Sequence, residues 1–114
     1  MDRRFDHYQN LAKRTANNDL TPSQELSNYA LGLVGEAGEL VDLVKKFLFH
    51  GHDLDQGAIK DEAGDCLWYL AVLLDRAGIS FEDVARANIE KLRIRYPGGF
   101  TSADSIERRD VKGK

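Results

Sequence analysis

The 114-residue sequence predicts an all-α fold: a four-helix bundle in which two central antiparallel helices carry the chemistry, assembled into an oligomer. Three observations predict it. Apolar residues recur at helical rather than strand spacing, and no stretch alternates cleanly with period two. The only prolines, Pro22 and Pro97, bracket the main body, so neither interrupts a long helix. The chain is also too short to bury a large core alone, which makes self-association a reasonable expectation.

Each element has its own signals. The first helix spans about Arg4 to Thr15, with Phe5, Tyr8, Leu11 and Ala12 on one side, and Asn17–Asn18–Asp19 ends it with turn chemistry. The second starts at a marked boundary. Thr21 is the N-cap, Pro22 takes the first helical position and Gln24 completes a capping box. It runs to about Phe49, where His50–Gly51–His52–Asp53 breaks it. The third runs from Asp55 or Gln56 to Ala77, with Gly78 as the residue past the C-cap. Ser80 caps the fourth, with Asp83 at the box position, and Pro97 sets its end near Arg95. Residues 1–114 read as one domain, with about 101–114 a polar, partly mobile tail.

Bulk composition narrows function. A net charge of −3 gives no general attraction to nucleic acid or to an anionic membrane. A single cysteine, Cys66, excludes an internal disulfide framework and suits a reducing cytosol. No apolar run reaches the ~18 residues needed to span a bilayer, and the first residues lack the apolar core of a secretion signal. The expected location is cytoplasmic.

The informative anomaly is acidic. Glu36/Glu39 and Glu62/Asp65 lie at i, i+3 inside the most apolar stretches, GLVGEAGELVDLV and IKDEAGDCLWYLAVLL. Glu36 falls on the stripe Tyr29, Leu33, Leu40, Val44 and Phe47. Glu62 shares one with Ile59, Cys66, Tyr69 and Leu73, and Asp65 adjoins it. An unpaired carboxylate on a core-facing stripe must be neutralised or compensated. Lys45, Lys46 and Lys60 sit at the wrong offsets to do so. A divalent cation among the four acids resolves the problem, and oxygen-only ligands favour a hard one, Mg²⁺ with Mn²⁺ as the alternative. Asp42, Asp61 and Asp75 read as ordinary surface acids.

Other residues carry weaker signals. Asn88, Lys91 and Arg95 line one face of the fourth helix, where they either complement the helix dipole or hold phosphate oxygens beside a carboxylate-bound metal. Trp68 and Tyr69 either pack or stack on a base, and Tyr69, on the acid stripe, is the better stacking candidate. Cys66 reads as a buried inert thiol, and the His50/His52 pair as turn residues rather than zinc ligands. Gly32, Gly35, Gly38 and Gly64 inside helices are either tolerated or mark close approach of a neighbour.

In order, G-L-V-G-E-A-G-E-L, F-H-G-H-D-L-D, D-E-A-G-D-C-L-W-Y-L and N-I-E-K-L-R-I-R-Y-P-G-G-F make the chain resemble the MazG-type nucleotide pyrophosphohydrolases of the all-α NTP pyrophosphatase superfamily, over roughly residues 23–100. Glu36 and Glu39 match the second and third acids of the family's E-E-x-x-E, and Glu62 and Asp65 match its E-x-x-D. Gly35 stands where the first glutamate belongs. The resemblance implies Mg-dependent hydrolysis of a (deoxy)nucleoside triphosphate between the α and β phosphates, in the manner of nucleotide-pool house-cleaning. It also implies metal ligation by the four acids, nucleotide contacts from Asn88, Lys91 and Arg95, and a dimer or dimer of dimers. The alternatives are a dUTPase, a phosphoribosyl-ATP pyrophosphohydrolase, or a non-catalytic metal-binding helical module.

Overall fold

The computed structural model describes residues 3–112, and every described element is helical. Helix α1 (Arg4–Ala12) tightens into a 3₁₀ turn at Lys13–Thr15. Helix α2 (Pro22–Phe49) and helix α3 (Gln56–Arg76) form the central antiparallel hairpin. Helix α4 (Phe81–Arg95) follows, and two short helices, α5 (Ser102–Glu107) and α6 (Arg109–Lys112), fold the tail.

The boundaries follow local chemistry. The α2 capping box is complete: Thr21 Oγ1 accepts from Gln24 N–H at 3.3 Å, while Gln24 Oε1 accepts from Thr21 N–H at 3.0 Å. Asp55 caps α3 through Ala58 N–H. At its far end Ile79 N–H reaches Leu74 O and Gly78 N–H reaches Asp75 O, a Schellman closure in which Gly78 supplies a φ of 76°. Ser80 Oγ caps α4 by accepting from Asp83 N–H, but its own hydroxyl donates to Asp6, so the partner of this cap lies in α1 rather than at the box position.

Helix α1 is fastened to the hairpin and to α4 by buried polar groups. Gln9 Nε2 donates to Ala71 O and Ile79 O, and its Oε1 accepts from Phe81 N–H. Trp68 Nε1 donates to Ala12 O and Thr15 Oγ1. The two helices also exchange caps: Glu82 accepts from Phe5 N–H and Asp6 accepts from Glu82 N–H. Around these bonds lies a small core of Ala12, Ala16, Tyr29, Ala71, Val72 and Phe81, with Tyr8, Trp68, Tyr69 and Leu70 against it.

In the tail, Thr101 caps α5, and Asp110 of α6 pairs with Arg95 of α4. Its last two residues, Gly113 and Lys114, lie outside the described residues. The α2 stripe is also only half covered. Tyr29 is 1% exposed, whereas Val44 and Phe47 stay open, because α3 is shorter than α2 and gives them little cover. The opposite side of α2 is apolar as well. Leu31, Val34, Val41 and Leu48, with Gly38 among them, are 61–71% exposed apart from the glycine. The chain extends 46 × 43 × 28 Å with a radius of gyration of 17.3 Å, well above the ~13 Å of a compact domain this size.

Candidate metal and nucleotide site

The hairpin brings the two acidic motifs face to face. Glu36, Glu62 and Asp65 each offer a carboxylate oxygen within 4.8 Å of the others. Glu39, one turn on from Glu36, also reaches Glu62. The facing Glu36 carboxylate, then burial, then Glu39 push the Glu62 carboxyl up to about 7. Glu36 Oε2 and Glu62 Oε2 are buried without a hydrogen-bond partner among the described residues. Acceptor oxygens converging without donors are the donor set of a hard divalent cation, so these residues fit one. The two motifs face each other, as their spacing suggests.

The neighbourhood is aromatic. Tyr29, Trp68 and Tyr69 pack with centroids 5.0–6.4 Å apart. Tyr69 lies across Gly32: a Cβ there would meet its ring at 2.1 Å. Gly32 is therefore a close-approach glycine, whereas Gly35, Gly38 and Gly64 have open space. The Tyr69 ring is half-buried in this cluster. Burial, followed by the charges of Glu36, Glu62 and Asp65, pushes the Cys66 thiol up, as suits an inert thiol. Burial and the Asp65 charge likewise raise the Tyr8 hydroxyl. Helical spacing alone marks Tyr8 only as a packing residue, yet it feels the charge of Asp65.

The α4 stripe is placed differently. Beyond Phe81 the helix lies against α1, and among the described residues no hydrogen bond or ion pair joins Asn88, Lys91 or Arg95 to the four acids. Asn88 and Lys91 line an open groove on α4. Arg95 is engaged, with Nε and Nη2 on the two oxygens of Asp110 at 2.9 and 2.7 Å. Asp42 pairs with Lys46 along α2, as a surface acid should. None of the described helices is long and apolar enough to cross a membrane.

The profile of the MazG nucleotide pyrophosphohydrolase domain matches residues 24–100. The chain is 33% identical over 94 residues to the Gene 37 protein of Mycobacterium phage L5, covering 79% of this chain and 82% of the phage protein. No solved structure matches it.

Proposed function

The chain belongs to the MazG nucleotide pyrophosphohydrolase family, and from that premise we propose that it hydrolyses a (deoxy)nucleoside triphosphate at the α–β bond, releasing the monophosphate and pyrophosphate. The observation that carries this reading is the convergence of Glu36, Glu62 and Asp65 from two helices, with Glu39 beside Glu62 and buried oxygens of Glu36 and Glu62 that lack a hydrogen-bond partner. These four residues would hold Mg²⁺ or Mn²⁺, which supplies charge neutralisation and Lewis-acid polarisation to the phosphate chain. Glu36 and Glu62, half-buried, fix the site. Glu39 and Asp65 are exposed, and the acceptor of the attacking water's proton is one of these two. Tyr69 closes the aromatic side, where a base can stack. Removal of unwanted nucleotides from the pool is the role this activity serves.

Oligomerisation belongs to the same reading. The outer α2 stripe is a contiguous apolar face on a chain whose α4 stands away from the hairpin. Pairing of copies covers that face and brings Asn88 and Lys91 of one copy toward the acids of another.

The decisive assay incubates the protein with a panel of dNTPs and Mg²⁺ and identifies the products. Pyrophosphate plus monophosphate is expected, and orthophosphate as the sole product refutes α–β cleavage. Glu62→Gln should lower kcat by about 100-fold or more if it helps to hold the cation. A second reading, a non-catalytic metal-binding module, is favoured by Gly35 at the first motif acid. It predicts cation binding with no turnover in the same assay.

A further inference from the structure

The side of α2 that faces away from α3 carries an ordered seam. Leu31, Val34, Gly38, Val41, Lys45 and Leu48 follow one another at alternating spacings of 3 and 4, the repeat that keeps two helices in contact along their length. Tyr29 and Glu36, on the opposite side of the helix, turn toward α3. The four aliphatic residues of the seam are 61–71% exposed, and a Cβ at Gly38 would find nothing within 4 Å. Beside the seam lies a groove of about 430 Å³ lined by Leu40, Val41, Val44, Lys45, Leu48 and Phe49. Of these, Val41, Val44, Lys45 and Leu48 stand at i, i+3, i+4 and i+7, the four corners of a hole that takes one knob of a facing helix.

The order of residues selects one orientation for a second copy. In a parallel, in-register pair Gly38 meets Gly38 and leaves a gap, while Lys45 meets Lys45 and sets like charges together in an apolar seam. In an antiparallel pair with its twofold axis level with Glu39 and Leu40, Leu31 meets Leu48, Gly38 meets Val41 and Val34 meets Lys45. The smallest residue then lies against a branched one. Val34 of each copy enters the hole of the other, and the methylene stem of Lys45 covers it while the ammonium reaches water. Covering the 31–48 face removes on the order of 600 Å² per copy from water, which reaches the lower end of the ~1,200–2,000 Å² total of specific interfaces.

We propose that two copies of this chain pair through α2 as an antiparallel seam, with Leu31 against Leu48 and Gly38 against Val41. This rests on the pairing of copies stated above and gives it an orientation and a register.

The test uses the full chain carrying Cys66→Ala, so that an introduced thiol is the only one. Leu31→Cys and Leu48→Cys are prepared as separate proteins, both at exposed positions outside the core of the single chain. Each alone, and an equal mixture re-equilibrated by dilution and reconcentration, is treated with a short bis-maleimide, and linked dimers are read on a denaturing gel. The antiparallel seam brings residue 31 of one copy to residue 48 of the other and holds like positions about 25 Å apart. The mixture should therefore link about half of its chains, the share present as mixed pairs, and each protein alone almost none. Gly38→Leu, which has room within its own chain, should raise the dimer Kd about tenfold or more by crowding Val41 of the other copy. Linking by either protein alone as strong as in the mixture overturns the antiparallel register and leaves pairing standing. No linking in any of the three samples, or an undiminished dimer with Gly38→Leu, overturns the seam. A monomeric mass for the unsubstituted chain overturns the pairing as well, and the dNTP assay reports separately on hydrolysis.

Discussion

Gly32→Ala is the sharpest probe of how the hairpin sets the acid site. A methyl group at Gly32 would sit 2.1 Å from Tyr69 Cε1 and 2.6 Å from Cζ. Ordinary contact requires a separation larger by more than about 1 Å, in an interior packed nearly as densely as a crystal. The ring has little freedom to yield, since Trp68 packs edge-on at 5.0 Å and Tyr29 at 6.4 Å. Overpacking of this kind costs about 1–3 kcal/mol, and the gain in helix propensity from glycine to alanine returns about 1 kcal/mol. The expected net loss is therefore about 1 kcal/mol, read by urea denaturation. The larger effect should be on the cation. Gly32 is one turn before Glu36 and Tyr69 one turn after Asp65, so forcing the helices apart there spreads the carboxylates. Affinity for Mn²⁺ by calorimetric titration should fall about tenfold, the scale on which supporting residues act on metal sites. Gly35→Ala, with open space around it, is the control and should be neutral or slightly stabilising. A Gly32→Ala protein that is more stable than wild type, with undiminished cation affinity, would refute the reasoning.

Three further outcomes are expected. Gln9→Leu leaves the buried Phe81 N–H without its acceptor and removes a second donor from Ala71 O, a carbonyl inside α3, and the donor to Ile79 O; it should cost about 1–3 kcal/mol in chemical denaturation, and unchanged stability would show the Phe81 amide satisfied otherwise. Glu62, whose carboxyl rises from its ordinary 4.5 to about 7 on folding, binds its proton more tightly folded than unfolded. The cation-free protein should lose stability as pH climbs from 4.5 to 7, and divalent cation should raise the melting temperature more at pH 8 than at pH 5. A cation shift equal at both pH values would count against the shared site. Val34→Asp, on the outer α2 stripe, should lower the mass seen by light scattering and abolish the dependence of melting temperature on chain concentration; wild-type protein that is monomeric throughout would remove the basis for pairing.

Much of the fold was legible because its signals are local. The Thr21–Gln24 box, Gly78 and Ser80 each act within a few residues, so the ends of α2, α3 and α4 fall where the sequence places them. The acids were legible for a related reason, because a carboxylate on an apolar stripe is visible without knowing what faces it. The α4 stripe was less so. Its spacing is evident, but its partner is not, and nothing in the order of residues says that Asp110 would claim Arg95. The tail is polar, and neither the Arg95–Asp110 pair nor the left-handed turn at Arg108 leaves a periodic trace in it. The same holds for Gln9, a polar residue whose three bonds all reach across the fold.

The exchange of caps between α1 and α4 has a consequence for the order in which the chain assembles. Phe5 N–H finds its acceptor on Glu82, and the amide of Glu82 finds its acceptor on Asp6, separations of 77 and 76 residues. Helix α1 thus emerges from the ribosome long before the groups that cap it exist. The α2–α3 hairpin, joined by a short connection, is the natural early unit, while α1 must wait and close the longest loop in the chain. During that interval Tyr29 and Trp68 lack the helix that covers them, making late docking of the first helix the vulnerable moment in folding.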